Sequence, residues 1–393
     1  MIQAGFPKRV VGAFGAALFL LTVLMFFKGP SKVAIGRRWS ENYSILNEIN
    51  NATLGFEKLL VVGLPSRTDR RDGMILQAAL SDMEIGFVDG VTEPQVEEKA
   101  IPKIENADHI HGPNLGSWRG HMNAIQQVVW QNLSSALIFE DDIDWDIRLR
   151  QQLRDFALSA HALTQPLRTS ADRFADPTYP GDPNGDAPPV TVADFSFDKL
   201  PQTFAPTKSP YGDDWDVLWI GHCGMHFPFQ DNAIPKGRVI HLNDNTVPER
   251  EHLWTLNVPF TLKEQYPEHT RAIHHVQEGV CSLGYAVSRS GARKLLRHLG
   301  LREPTDPFDI LLRFFCEGVQ GMPQQPRCLT IQPSLFHHHR PVGPNKEASD
   351  IGNHGDGFRT KAQTDMVRWS VRLNAEALLN GTANYTDQYP DTQ

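Results

Sequence analysis

The chain has 393 residues, 40 % of them hydrophobic and 21 % charged, with a formal net charge of −8. A chain of this length holds one large domain or two modest ones with an ample core. The acidic balance, with no basic run outside the N-terminus, argues against nucleic acid as the main partner.

The N-terminus is of a different kind. Lys8-Arg9 precede an apolar stretch over residues 10–27, relieved only by two glycines and a threonine, and Lys28 follows. As a helix it would measure about 27 Å, close to the hydrocarbon thickness of a bilayer. Met25-Phe26-Phe27-Lys28 offers no small-x-small cleavage site, so an uncleaved transmembrane signal-anchor is expected at 10–27. Residues 1–9 then form a cytosolic tail and 28–55 a stem. Lys28, Lys32, Arg37 and Arg38 outnumber Lys8 and Arg9, which taken alone favours a cytosolic domain. Glycosylation sequons at Asn42, Asn51, Asn132, Asn380 and Asn384 point the other way. The expectation is a single-pass type II protein of the Golgi or ER membrane with its large domain in the lumen. The four cysteines, Cys223, Cys281, Cys316 and Cys328, allow three pairings; Cys223 with Cys281 and Cys316 with Cys328 is the pairing taken here.

Lys58-Leu59-Leu60-Val61-Val62-Gly63 is predicted as a first buried strand. It turns through Arg67, Arg70 and Arg71 into a helix with apolar spacing at Ile75, Leu76, Ala79 and Leu80. A second strand at 85–90 completes a strand–helix–strand unit, the signature of an α/β fold with a mostly parallel central sheet flanked by helices. Trp118, Met122, Ile125 and Val129 mark the next helix, which leads into Ala136-Leu137-Ile138-Phe139-Glu140-Asp141-Asp142. A further helix carries Leu149, Leu153, Phe156 and Ala160 on its apolar face. Residues 164–211 are rich in Pro, Asp, Gly, Ser and Thr and are expected to form a surface insertion. Strands follow at 214–221, 280–288 and 329–333, with helices carrying Ala292, Leu295, Leu296 and Leu299, and then Leu311, Leu312 and Phe315. The main domain is placed at 56–345, and 346–393 is expected to be a polar tail.

Glu140-Asp141-Asp142 carries the chemistry. Three adjacent carboxylates at the end of a buried strand repel one another unless a positive group sits among them, and a hard divalent cation suits that role. Alternation puts Glu140 and Asp142 on one face. Asp142 leads as metal ligand, and Glu140 or Asp141 would hold a nucleotide ribose or a metal-bound water. Only one or two of His337-His338-His339 can face a common site; His337 and His339 are the pair assigned to the metal. Arginines at the first turn would grip phosphate. Asp306 and Asp309 are the candidate general bases, Asp306 preferred, and Glu278 is the reserve, although Asp306-Pro307-x-Asp309 also fits a helix cap. Trp118, Trp145, Trp215 and Trp219 are candidate stacking surfaces or core.

The segments 61–71, 116–125, 136–142, 214–221, 284–292, 304–306 and 333–339 form an ordered series across residues 57–340 that resembles glycosyltransferase family 25. The resemblance implies a GT-A-like nucleotide-sugar-binding fold and a UDP-hexose donor, galactose among the choices. It also implies Mn²⁺ dependence, inversion at the anomeric carbon, and a glycan or glycoprotein acceptor. It assigns donor and metal roles to Glu140, Asp141 and Asp142 and nucleotide contact to Arg67 and Arg71. His121, inside the second matching segment, is counted with the donor-binding residues. A metal-dependent hydrolase using the same acids and a catalytically silent binding protein are the alternatives.

Overall fold

A computed structural model describes residues 44–103, 109–181, 191–319, 322, 324–352 and 354–392. The expected anchor at 10–27, most of the stem and the Asn42 sequon lie outside the described residues. Among the described residues no helix is long and apolar enough to cross a membrane.

Strand β1 (Lys58–Gly63) leads through helix α1 (Thr68–Leu80) to β2 (Ile85–Asp89). Helix α2 (Pro113–Trp130) then delivers the chain to β3 (Ser135–Glu140). Both β2 and β3 lie parallel to β1. Continuous apolar runs produce strands buried on both faces. Leu59, Val61, Leu137 and Phe139 enter one core layer, while Leu60, Val62, Ala136 and Ile138 enter the other.

After β4 (Ile143–Trp145) and helix α3 (Leu149–Thr164) come β5 (Phe195–Ser196), β6 (Val217–Gly221), β7 (Arg238–His241) and β8 (Arg271–His275). Strand β9 (Gly284–Ser288), helices α4 (Arg289–Leu295) and α5 (Phe308–Cys316), and strands β10 (Cys328–Gln332) and β11 (Phe336–Arg340) follow. Nine strands form the main sheet in the order β2-β1-β3-β9-β6-β10-β8-β7-β5. Only β8 and β9 run against the others, so the sheet is mostly parallel and the α/β class holds. A smaller sheet joins β4, β11 and Gln363–Thr364.

Four expectations change. On α1 the buried residues are Met74, Gln77 and Ala78, whereas Ile75 and Leu76 are 53 % and 45 % exposed. The helix therefore faces the sheet through a different stripe from the one its aliphatic residues suggested. The compact unit begins at Ile45, because Ile49 and Leu54, read as stem, are buried in the core. The insertion also packs inward: β5 extends the sheet beside β7, and the buried Tyr211 hydroxyl donates to the Leu54 carbonyl at 2.6 Å.

The expected polar tail is likewise part of the domain. Met366, Val367 and Val371 are buried, and Gln363–Thr364 pairs with β11. Polar side chains make this possible. Asp144 is fully buried and accepts from Thr364 Oγ1 at 2.7 Å, Gln77 Nε2 at 2.7 Å and the Ser370 hydroxyl. Low apolar content hid a segment whose role is to satisfy a buried carboxylate. Ser370→Ala is expected to lower stability by about 1–3 kcal/mol through the unsatisfied carboxylate it leaves; equilibrium denaturant unfolding measures this, and an unchanged midpoint would contradict it.

Candidate active site

Parallel pairing brings the carboxyl ends of β1, β2 and β3 to one edge of the sheet, with Gly63 opposite Asp89 and Val62 opposite Glu140. Ligands bind at this edge in open α/β sheets. Here the edge opens into a cleft of about 790 Å³ lined by Arg70, Glu140, Asp141, Asp142, Asp309, His338 and Arg340, with residues 349–352 on its rim. Asp141 packs against the bare face of Gly63, where a Cβ would lie 2.1 Å from its Oδ2.

Beyond Asp142 the chain doubles back as β4, which pairs antiparallel with β11, His338 opposite Ile143. The His339 N–H donates to the Asp142 carbonyl at 2.8 Å. This register fixes which histidine reaches the acids. Phe336 packs against Phe139 and Trp145, and alternation sends His338 and Arg340 the same way, into the cleft. Ligand atoms of Glu140, Asp142 and His338 all lie within 4.8 Å of one another.

His337 and His339 are not part of this group. His337 is 1 % exposed and its Nε2 engages the Ser334 carbonyl at 2.9 Å. His339 Nδ1 lies 3.0 Å from Thr364 Oγ1. Strand parity was legible in the sequence but its phase was not; Phe336, as the core-facing residue, is the signal that sets it.

Two carboxylates and one imidazole can hold a divalent cation such as Mn²⁺. The structure meets this demand in a specific way: Asp142 Oδ1 and Asp141 Oδ2 are buried oxygens with no hydrogen-bond partner among the described residues. Burial raises the Glu140 carboxyl, but the nearby His121, with His338, outweighs it and the group ends below its ordinary value. Burial also raises Asp142, and His338, Arg70 and Arg340 bring it below. Asp141 goes the other way: burial exceeds the pull of Arg70 and lifts it to about 6. Both carboxylates of the group are thus held below the ordinary carboxylate range.

Arg70, rather than Arg67 or Arg71, faces the acids. It lies one helical turn from Met74 on the buried stripe of α1, and its Nη1 donates to Asp141 Oδ1 at 2.8 Å. Its Nη2 is 3.5 Å from Asp142 Oδ2, and Arg340 Nη1 is 3.8 Å from the same oxygen. Arg67 instead pairs with Asp69 at 2.9 Å and Asp350 at 2.6 Å. Arg71 pairs with Asp89 and lies over the Phe87 ring. Adjacent side chains on α1 diverge by roughly 100°, which turns Arg71 away from Arg70, while Arg67 precedes the helix and is taken up by Asp69 and Asp350.

His121 is buried on α2, with its Nδ1 3.0 Å from the Tyr285 hydroxyl and its Nε2 3.7 Å from Glu140 Oε1. It supports Glu140 at the wall of the cleft. Ser282, absent from the sequence reading, donates to Glu140 Oε1 at 2.7 Å.

The preferred base and its reserve lie elsewhere. Asp306 is outside the cleft lining and accepts from Thr305 Oγ1 at 2.8 Å; α5 is capped by Pro307 without a side-chain bond. Glu278 pairs with Arg313 at 2.6 Å and His226 at 3.3 Å. Asp309, three residues further on, lines the cleft, and burial raises its carboxyl against backbone N–H bonds from Cys281 and Ile310. Trp118, Trp145, Trp215 and Trp219 are all core, and the tryptophan on the cleft wall is Trp254.

No family model matches the chain. Procollagen galactosyltransferase 1 of Danio rerio is 29 % identical over 270 residues, covering 65 % of this chain and 31 % of the relative. The chain is glycosyltransferase family 25-like. A human protein named inactive glycosyltransferase 25 family member 3 is 29 % identical over 114 residues, covering 25 % of this chain and 19 % of that protein. The match thus spans about a third or less of each relative's length.

The histidine assignment has a direct test. His338→Ala in the full chain should weaken Mn²⁺ binding by about tenfold or more, while His339→Gln should leave it nearly unchanged. Calorimetric titration separates the two, and equal effects would refute the register argument.

Proposed function

We propose that this protein is a divalent-cation-dependent glycosyltransferase that moves a hexose, such as galactose, from a UDP-sugar to a hydroxyl of a glycan or glycoprotein, with inversion. The observation that carries the reading is the group Glu140, Asp142 and His338, with an unpartnered buried oxygen, beside Arg70 and Arg340 in one cleft. The name of the Danio rerio relative is consistent with it.

Glu140, Asp142 and His338 would hold Mn²⁺, which when bound supplies a Lewis acid for the leaving diphosphate. Arg70 and Arg340 add fixed positive charge where negative charge grows on the departing group, an effect that is large in a site shielded from bulk water. Arg70 is already tied to Asp141, so it is oriented before any donor arrives. Asp309 takes the acceptor hydroxyl proton as the oxygen attacks from the opposite face. Its raised carboxyl is a better match to proton transfer near neutral pH than an exposed aspartate. Trp254 and Leu256 offer apolar surface for a sugar ring on the cleft wall.

Asp309→Asn should lower transfer by about 10²–10⁴-fold with UDP-sugar binding retained, whereas Asp306→Asn should stay near wild type. A sugar-transfer assay with a panel of donors and acceptors, paired with binding titrations, gives both numbers. Release of free sugar faster than transfer would favour the hydrolase instead, and donor binding without transfer to any acceptor the silent binding protein.

We also infer a lumenal domain held at a Golgi or ER membrane by residues 10–27. Two disulfides, Cys223–Cys281 and Cys316–Cys328, accord with an oxidising compartment, and Asn51, Asn132, Asn380 and Asn384 are all exposed. Glycosidase treatment of protein from its native host should reduce its mass; an unchanged mass would count against lumenal placement.

A further inference from the structure

We propose that the Cys223–Cys281 disulfide is a redox-sensitive brace for the cation-holding group, positioning its ligands without touching the substrate. The inference rests on the cation reading above and adds a control on it.

Three contacts converge on this crosslink. Cys223 Sγ lies 4.0 Å from His338 Nδ1. The Cys281 N–H donates to Asp309 Oδ2 at 2.8 Å. The next residue, Ser282, donates to Glu140 Oε1 at 2.7 Å, and the Glu140 N–H donates to the Leu283 carbonyl at 3.1 Å. One covalent link thus borders a ligand histidine, precedes the hydroxyl that orients a ligand carboxylate, and holds the candidate base. Cys281 also has a φ of +63°, a left-handed conformation that non-glycine residues adopt only where the surroundings impose it.

The two disulfides differ in accessibility. Cys223 is buried at 4 % and Cys281 is half-buried, and both line the cleft, so a small dithiol entering there meets the bond from the Cys281 side. Cys316 and Cys328 are each 2 % exposed in the core. In the exchange, the dithiol gives two electrons and two protons; the Cys223–Cys281 bond becomes two thiols and the dithiol becomes a cyclic disulfide. Backbone bonds from the Cys223 N–H to the Val280 carbonyl at 2.8 Å and from the Leu256 N–H to the Cys223 carbonyl at 2.9 Å remain. Reduction therefore loosens the ligand geometry while the segment stays in place.

Linkage makes the idea testable without activity. If reduction weakens cation binding by some factor, bound cation must disfavour reduction by the same factor. The experiment titrates the full chain against a dithiol redox buffer with and without saturating Mn²⁺, with peptide mapping to report which disulfide opens. Mn²⁺ affinity of the oxidised and the selectively reduced protein is read from the free-ion electron paramagnetic resonance signal. The expected result is about tenfold weaker Mn²⁺ binding on reduction and a matching shift of about 30 mV toward lower potential with Mn²⁺ present. The variants C223S/C281S and C316S/C328S supply a second arm, with only the first expected to lose affinity. Equal affinity in both redox states, or equal losses in both variants, would overturn the brace. No Mn²⁺ binding to the oxidised wild type would instead remove the cation reading itself, and the brace with it.

Discussion

Three consecutive carboxylates stand at the end of a buried strand, and the arrangement of the site answers their mutual repulsion. Charges taken out of water need partners. Arg70 comes from the helix after β1, Arg340 from the far end of β11, and Arg372, which also helps to hold down Asp142, from the C-terminal segment. These cations come from chain segments far apart in sequence, so the acids can be buried together only when the whole domain is assembled. The compensation is still incomplete, since buried oxygens of Asp141 and Asp142 keep unused lone pairs. That residual demand supports the proposal that the acids hold a cation.

The same constraint explains the unexpected role of the C-terminal residues. Asp144 sits two residues beyond Asp142 and points into the opposite side of the small sheet, where Thr364, Ser370 and Gln77 satisfy it. The β4–β11 pairing that presents His338 is thereby fixed from behind. Asp350, on the loop before that segment, reaches over to Arg67 and Arg70. The cleft is thus built by both ends of the domain around the first three strands.

Much of this was legible in the sequence where a physical period was strong. Continuous apolar runs marked β1 and β3, and the faces of α2 and α3 followed their 3.6-residue spacing. The acids at the end of β3 could be singled out because such a cluster is difficult to bury without partners. The cysteine pairing agreed as well. What failed was phase. Arg67 and Arg71 were preferred over Arg70, His337 and His339 over His338, and Asp306 over Asp309, offsets of one or three residues. Local pattern says that side chains diverge, but only tertiary packing says which one turns inward: Met74 for α1, Phe336 for β11. The tail was misjudged because its few apolar anchors, Met366, Val367 and Val371, are scattered among the polar side chains that hold it.

The most direct test of the central claim is the affinity of UDP for the full chain, measured by calorimetry in Mn²⁺ and again in EDTA. If the acids hold a cation that in turn holds the diphosphate, removing the metal should weaken UDP by about tenfold or more, at least 1.4 kcal/mol. Undiminished UDP binding in EDTA would contradict the account.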